Sequence, residues 1–235
     1  MFVHTIFDLL AWASAGLLGW RISRAGLLKC VAPALSLRRD PWYFASLATG
    51  ALAGAILFGS TNMSLAGLWP LGHSIAGAIA GGIVAVELYK WACGLRGSTG
   101  LPFVAPLALG IAIGRLGCFF SGLPDYTYGT PTEVPWAVDF GDGIQRHPVQ
   151  LYESVAMLAF LAFWLRSLSA GYLPIIRNGF YLFVAWYALQ RFAWEFLKPY
   201  PPIVGPFNIF HLICIALFAY SLFMMRGQRE LRPAI

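Results

Sequence analysis

Long apolar runs alternate with short polar segments along the whole chain. Seven stretches of membrane-spanning length centre near residues 11, 54, 80, 112, 157, 187 and 214. Each is close to the roughly 20 residues that cross a bilayer as a helix. The pattern predicts helices over about 3–20, 42–60, 71–91, 101–122, 148–168, 179–197 and 203–225. A linker carrying Pro33 and Pro41 separates the first two, and a short loop with Asn62 and Pro70 follows the second. The expected fold is therefore all-α, a polytopic membrane protein of about seven transmembrane helices. A single membrane domain over 1–235 accommodates the length. The first stretch lacks a basic leader and a small-residue cleavage site, so it reads as a retained helix.

Between residues 123 and 147 the character changes. This segment holds Asp125, Glu133, Asp139 and Asp142, three prolines and several turn glycines. Loops of this length without a helix of their own usually carry function or are disordered. Tyr126, Tyr128 and Trp136 favour a folded cap at the membrane interface, where amphipathic rings settle.

The basic residues orient the helices. With the N-terminus outside and the C-terminus cytoplasmic, Arg21, Arg24, Lys29, Arg38, Arg39, Lys90, Arg96, Arg166, Arg177, Arg226, Arg229 and Arg232 fall on the cytoplasmic side, the asymmetry that membrane insertion imposes. The net charge of +6 then faces anionic lipid and calls for no nucleic acid. Cys30, Cys93, Cys118 and Cys214 show no CxxC spacing, so neither a disulfide framework nor a redox motif is indicated. Close-approach glycines recur at spacing four, at Gly50/Gly54, Gly77/Gly81 and Gly110/Gly114, and ordinary helix packing explains them.

Arg115, Arg146, Arg191 and Lys198 do not fit the charge asymmetry. Arg115 and Arg191 lie within apolar runs, where a charge costs roughly 2.5–3.5 kcal/mol on insertion scales and usually marks a functional path. They belong to a wider set. His4 and Asp8, His73, Arg115, the trio His147, Gln150 and Glu153, the i,i+4 pair Arg191 and Glu195, and Asn208 with His211 all fall in the outer half of their helices. Glu87 sits at the inner end beside Lys90, where an ion pair explains it. Arg115 has no acidic residue in its own or adjacent turns, so its partner is another helix's carboxylate, such as Glu153, or a bound anion. Two buried arginines suit phosphate oxygens because the guanidinium is a planar fork that stays charged. In a membrane that phosphate is a phospholipid head group. No Walker, HExxH or GxSxG motif and no metal-ligand spacing occurs; no cofactor is expected.

Three segments resemble bacterial prolipoprotein diacylglyceryl transferases. They are Gly114-Arg-Leu-Gly-Cys-Phe119 followed by Gly122 and Gly129, Arg146-His-Pro-Val-Gln-Leu-Tyr-Glu153, and Arg191-Phe-Ala-Trp-Glu-Phe196. The resemblance implies an inner-membrane enzyme with its site toward the outer leaflet. Such an enzyme moves the diacylglyceryl group of phosphatidylglycerol to a prelipoprotein cysteine while glycerol phosphate leaves. It implies that Arg115 and Arg191 hold the head group and Glu195 orients Arg191. His147, Gln150 and Glu153 would line the same cavity, and Arg146, Gly117 and Gly122 stand in the lipid-binding motifs. Two departures stand out. Ala76 occupies the place of the family's third-helix histidine, with His73 three residues earlier, and Cys118 replaces an asparagine. His147, ranked first, and His73 are then the candidate bases, the ordinary histidine pKa of about 6.5 suiting work near neutrality, with Glu153 the alternative base if burial raises its pKa. The departures leave open both the acceptor and whether the diacylglyceryl or the phosphoglyceryl part of the donor is moved. They also leave a second reading, a non-catalytic phospholipid-binding protein that has lost its base. A small-solute transporter fits less well, because a transport path needs polar groups through the midplane.

Overall fold

A computed structural model describes residues 2–28, 40–68 and 71–230, without the side chains of Phe2, Gln228, Arg229 and Glu230. Lys29, Cys30, Pro33, Arg38, Arg39, Pro70 and Arg232 lie outside the described residues. Eight helices run in order: α1 Phe2–Arg24, α2 Pro41–Leu65, α3 Ile75–Ala92, α4 Val104–Ser121, α5 Val149–Ser169, the short α6 Leu173–Arg177, α7 Gly179–Glu195 and α8 Ile209–Glu230. A two-residue hairpin, β1 Val138–Asp139 with β2 Gln145–Arg146, interrupts an otherwise helical chain. Five spans, Pro41–Leu65, Ile75–Ala92, Leu101–Ser121, Val149–Ser169 and Ile209–Gly227, are long and apolar enough to cross a membrane. Large apolar side chains such as Leu9, Trp12, Leu57, Leu88, Val155 and Phe223 are exposed, as they are where the surrounding solvent is hydrocarbon. The chain is an all-α polytopic membrane protein.

It divides into two compact units, Met1–Ala32 with Gly100–Pro199, and Pro33–Thr99 with Tyr200–Ile235. In the second unit α2 and α3 pack backbone to backbone. A β-carbon at Gly54 or Gly77 would run into the other glycine's carbonyl oxygen, so only hydrogen fits at this crossing. The Asp40 side chain caps α2 by accepting from Trp42 N at 2.9 Å, with Pro41 pre-set for the first turn. Asp40 also receives the Tyr89 hydroxyl from the end of α3. The Glu87–Lys90 pair is present at 2.9 Å, and Tyr220 of α8 donates to the same carboxylate at 2.8 Å.

Helix α1 runs about four residues past its expected end, to Arg24, and α8 about five, to Glu230; three other helix ends differ from the apolar pattern, each for a local reason. The second helix runs on to Leu65 and contains Asn62, which is buried rather than in a loop; the run through Met63 and Leu65 is still apolar, and the chain turns only at Gly67, φ 74°. The third helix begins at Ile75, because extended Ser74 caps it by accepting from Gly77 N at 3.2 Å. The last begins at Ile209, because the Asn208 side chain accepts from Phe210 N and His211 N. Before it, Ile203 N and Phe207 O close a turn at 2.8 Å.

The first unit holds α1, α4, α5, α6 and α7. Gly117 lets α1 approach α4: a β-carbon there would sit 2.6 Å from Cβ of Phe7. Ser154 on α5 donates to the carbonyl of Ala112 on α4 at 2.9 Å. Trp186 on α7 donates to the carbonyl of Ala156 at 3.0 Å, beside the Phe160–Phe183 ring contact. Helix α4 stops at Gly122, whose φ of 68° suits a residue without a β-carbon. Leu123–Asp125 then form one 3-10 turn. The segment after it is folded. Gly129 N and Thr130 O bond the His147 backbone, each at 3.1 Å, and Thr130 N reaches Leu197 O at 2.6 Å. The Asp139 carboxylate accepts from Gly141, Asp142 and Gly143 N and closes the hairpin turn.

Candidate functional site

Helix α5 carries Gln150, Glu153, Ser154 and Met157 at spacings of three and four, one face of a helix, and all four are buried. Glu153 is the hub of that face. Its Oε2 lies 2.6 Å from Arg115 Nε on α4. Its Oε1 accepts from Arg191 Nη1 on α7 at 2.5 Å and from Lys198 Nζ, just beyond α7, at 2.9 Å. One turn along α7 the Glu195 carboxylate takes Arg191 Nε at 2.8 Å. Every one of these side chains is at least nine-tenths buried. Among the described residues, these contacts join three buried cations to two buried carboxylates. Buried charges are kept only where they are paired or serve a function.

Gln150, one turn before Glu153, is fully buried. Both ends of its amide lack a hydrogen-bond partner among the described residues. A buried amide can donate twice and accept twice, and leaving it unmade costs about 1–3 kcal/mol. A buried amide of this kind beside a group of buried cations suits a site for a polar anionic ligand.

Arg115, Glu153, Arg191 and Glu195, expected from the sequence, thus converge in one network. Gln150 lies on the same face of α5. His147 precedes α5, half-buried, with Nδ1 3.3 Å from the Tyr152 hydroxyl, which also receives Trp136 Nε1 at 2.6 Å. Arg146 is engaged elsewhere. It holds Asp142 through two nitrogens at 2.6 and 2.7 Å and lies over the Tyr128 ring. That guanidinium keeps the Asp142 carboxyl below its ordinary range. Gly117 and Gly122 serve the α1–α4 approach and the chain reversal after α4. His73 lies in the other unit, exposed, two residues before α3. Ala76 is buried on α3 and offers no titratable group. Asn208 and His211 cap α8, with Asn208 N donating to His211 Nδ1 at 3.1 Å.

Two features escaped the sequence pattern. Lys198 is a full member of the Glu153 network; its one signal was a positive charge at the end of a helix where the charge asymmetry expects none. The second is a cluster of His4, Cys118 and Asp125 at the α1–α4 end of the same unit. Its members are up to 121 positions apart, counting from residue 4 to residue 125, so no local spacing announces it.

The family described as prolipoprotein diacylglyceryl transferase matches residues 4–226. A phosphatidylglycerol–prolipoprotein diacylglyceryl transferase of Nitratidesulfovibrio vulgaris is 31% identical over 204 residues, 80% of this chain and 75% of that protein. One of Geobacter sulfurreducens is 32% identical over 217 residues, 80% of this chain and 78% of its own. One of Bordetella parapertussis is 38% identical over 141 residues, 56% of this chain and 50% of its own. No solved structure matches the chain. The long apolar helices mark an integral membrane protein, and the family match places it in a transferase family. The chain belongs to the prolipoprotein diacylglyceryl transferases.

Proposed function

We propose that this protein transfers the diacylglyceryl group of phosphatidylglycerol to the cysteine thiol of a prelipoprotein. It would do so in the bacterial inner membrane, with its site toward the outer leaflet, N-terminus outside and C-terminus cytoplasmic. The observation that carries the reading is the convergence of three buried cations, Arg115, Arg191 and Lys198, on the Glu153 carboxylate. A phosphodiester monoanion is the ligand that such a cluster of cations would attract. Arg115 presents Nε to Glu153 and Nη1 to Cys118 Sγ at 3.9 Å, and phosphate oxygens would be taken by the rest of its guanidinium fork; Arg191 is oriented from two sides by Glu153 and Glu195. Lys198 adds a third charge on the side of α7. The Gln150 amide suits the hydroxyls and ester oxygens of a glycerol head group.

In the reaction the acceptor's thiolate sulfur attacks the glyceryl carbon that bears the phosphate ester. The C–S bond forms as the C–O bond breaks, and the electron pair leaves on the phosphate of glycerol phosphate. Negative charge grows on that phosphate in the transition state. Fixed cations in a water-poor site stabilise it without reorganising. The thiol must lose its proton first, because the thiolate is the nucleophile. His147 is the group proposed to take it. In the productive tautomer Nδ1–H donates to the Tyr152 oxygen and Nε2 accepts the thiol proton. The backbone of His147 is fixed by the folded segment at Gly129 and Thr130, which suits a residue that must hold its place. His73, which lies in the other compact unit, is the second choice.

The test is direct. Purified protein in phosphatidylglycerol vesicles is given a short peptide with one cysteine, and the peptide is weighed by mass spectrometry. A thioether-linked diacylglyceryl adduct that disappears in Arg115→Ala supports the proposal. Phosphatidylglycerol binding without any adduct would favour a lipid-binding role instead.

A further inference from the structure

At the end of α4 the chain reverses through Gly122 and returns Asp125 toward the first turns of α1. There Asp125 Oδ1 lies 3.3 Å from His4 Nε2. Cys118 Sγ, on the last turns of α4, lies 3.8 Å from the same nitrogen. The imidazole nitrogen, the sulfur and the carboxylate oxygen are all within 4.8 Å of one another. Zinc holds nitrogen and oxygen at about 2.0–2.2 Å and sulfur at about 2.3 Å in a tetrahedron, which puts ligand atoms roughly 3.3–3.6 Å apart. The observed nitrogen–oxygen separation matches and the nitrogen–sulfur separation is slightly longer.

The surroundings of the three atoms fit metal ligands as well. His4 turns its other nitrogen, Nδ1, to Asp8 Oδ2 at 2.8 Å, and Asp125 receives the Thr127 hydroxyl on Oδ2, at 2.5 Å, while Oδ1 faces His4. Ligating histidines and carboxylates are usually steadied in this way by a second hydrogen bond on the far atom. In its neutral form with Nδ1–H given to Asp8, His4 would offer the Nε2 lone pair, beside Asp125 Oδ1 and Cys118 Sγ, to a shared cation; the same sulfur also accepts from Arg115 Nη1 at 3.9 Å. One thiolate and one carboxylate also balance a divalent charge. The cluster is reachable: His4 keeps 35% and Asp125 15% of its side chain exposed, whereas Cys118 is buried.

We propose that His4, Cys118 and Asp125 form a binding site for a divalent transition metal of the zinc class, with Asp8 and Thr127 as supporting residues. Mixed nitrogen, sulfur and oxygen donors suit zinc and its substitute cobalt better than magnesium or calcium, which take oxygen alone. Three protein ligands on tetrahedral zinc leave the fourth position to water or a substrate atom, as in catalytic rather than structural zinc sites. The inference does not depend on which reaction the chain performs.

The test uses the full chain, purified in detergent, stripped with a chelator and titrated with Co2+. Wild type should bind one equivalent, show a sulfur-to-cobalt charge-transfer band, and lose the band when Zn2+ is added. Cys118→Ser should abolish the band. His4→Gln and Asp125→Asn should weaken binding by about tenfold or more, in line with the loss of a ligand or its support. Thermal unfolding of the variants separates lost binding from lost folding. Wild type alone is decisive if a variant fails to fold: no stoichiometric Co2+ binding, or binding without a thiolate band, overturns the proposal. So does a band of undiminished intensity in folded Cys118→Ser.

Discussion

Arg115 on α4 and Glu153 on α5 meet at 2.6 Å between Nε and Oε2, with 6% and 1% of their side chains exposed. Arg115 has no carboxylate within its own or adjacent turns, and α5 supplies one. The same carboxylate holds Arg191 and Lys198, so its charge underlies the whole network. Glu153→Gln keeps the volume and removes that charge. All three buried cations that it holds then lose that charge. Breaking a buried pair from one side costs about 3–5 kcal/mol, so the variant is expected to unfold at a clearly lower temperature in detergent and to lose activity. A thermal midpoint equal to that of wild type contradicts the central role given to Glu153.

Arg115→Ala is expected to abolish transfer, and Arg115→Lys to restore little of it. Lysine keeps the charge but has one donor head, which can serve Glu153 or a phosphate and not both in a planar fork. A loss of roughly tenfold or more in kcat/KM is expected for the lysine variant. Turnover close to wild type would show that the guanidinium shape is unimportant.

Arg191 and Glu195 are expected to be coupled but unequal. Arg191 also touches Glu153, whereas Glu195 is held at 2.8 Å from Arg191 Nε. Arg191→Ala should therefore cost more activity than Glu195→Ala, and the double variant little more than Arg191→Ala. The coupling free energy should fall in the range of about 0.5–3 kcal/mol seen for residues in one network. Additive losses would show that the two act separately.

The Asp142–Arg146 pair gives the folded loop a pH dependence of known sign. Asp142 is held below its ordinary range, chiefly by the hydrogen bonds from Arg146. A carboxyl depressed in the folded state contributes its stabilisation fully above its unfolded pKa, about 3.9, and loses it as the pH falls through the lower folded value. The protection factors of residues 138–146, that is exchange corrected for its intrinsic pH dependence, should therefore be unchanged from neutrality down to about pH 5 and fall only in stronger acid. Asp142→Asn should show the faster exchange at neutral pH. Equal protection in the variant and wild type at neutral pH would show that the pair does not hold the hairpin.

The long helices are legible in the apolar runs because membrane helices must satisfy their own backbone and face hydrocarbon; among the described residues five of the seven expected spans are long and apolar enough to cross a membrane, and α1 and α7 are not among the five. The helix ends are less legible. Ser74 and Asn208 cap helices from within apolar stretches, and Asn62 continues one, so hydropathy misplaces those boundaries by several residues. The core of the candidate site is visible because Arg115 and Arg191 are expensive where they stand and Glu153 is the acid left to answer Arg115. Lys198 is harder to see: lysine beside a helix end is ordinary on most surfaces, and only its burial against Glu153 separates it from them. The His4–Cys118–Asp125 cluster depends on the turn at Gly122 and the α1–α4 approach at Gly117, contacts that no linear spacing encodes. Arg146 shows the opposite case, a motif arginine whose guanidinium is spent on Asp142 in the hairpin.

The central claim is that the glyceryl carbon–oxygen bond of the donor breaks while the phosphate stays with the leaving head group. Phosphatidylglycerol labelled in its head-group glycerol, incubated with protein and a cysteine peptide, separates the possibilities by where the label goes. The account predicts labelled glycerol phosphate in the aqueous phase, formed in equal amount with diacylglyceryl peptide. Release of unlabelled diacylglycerol, with the labelled phosphoglycerol moved to an acceptor, would contradict it.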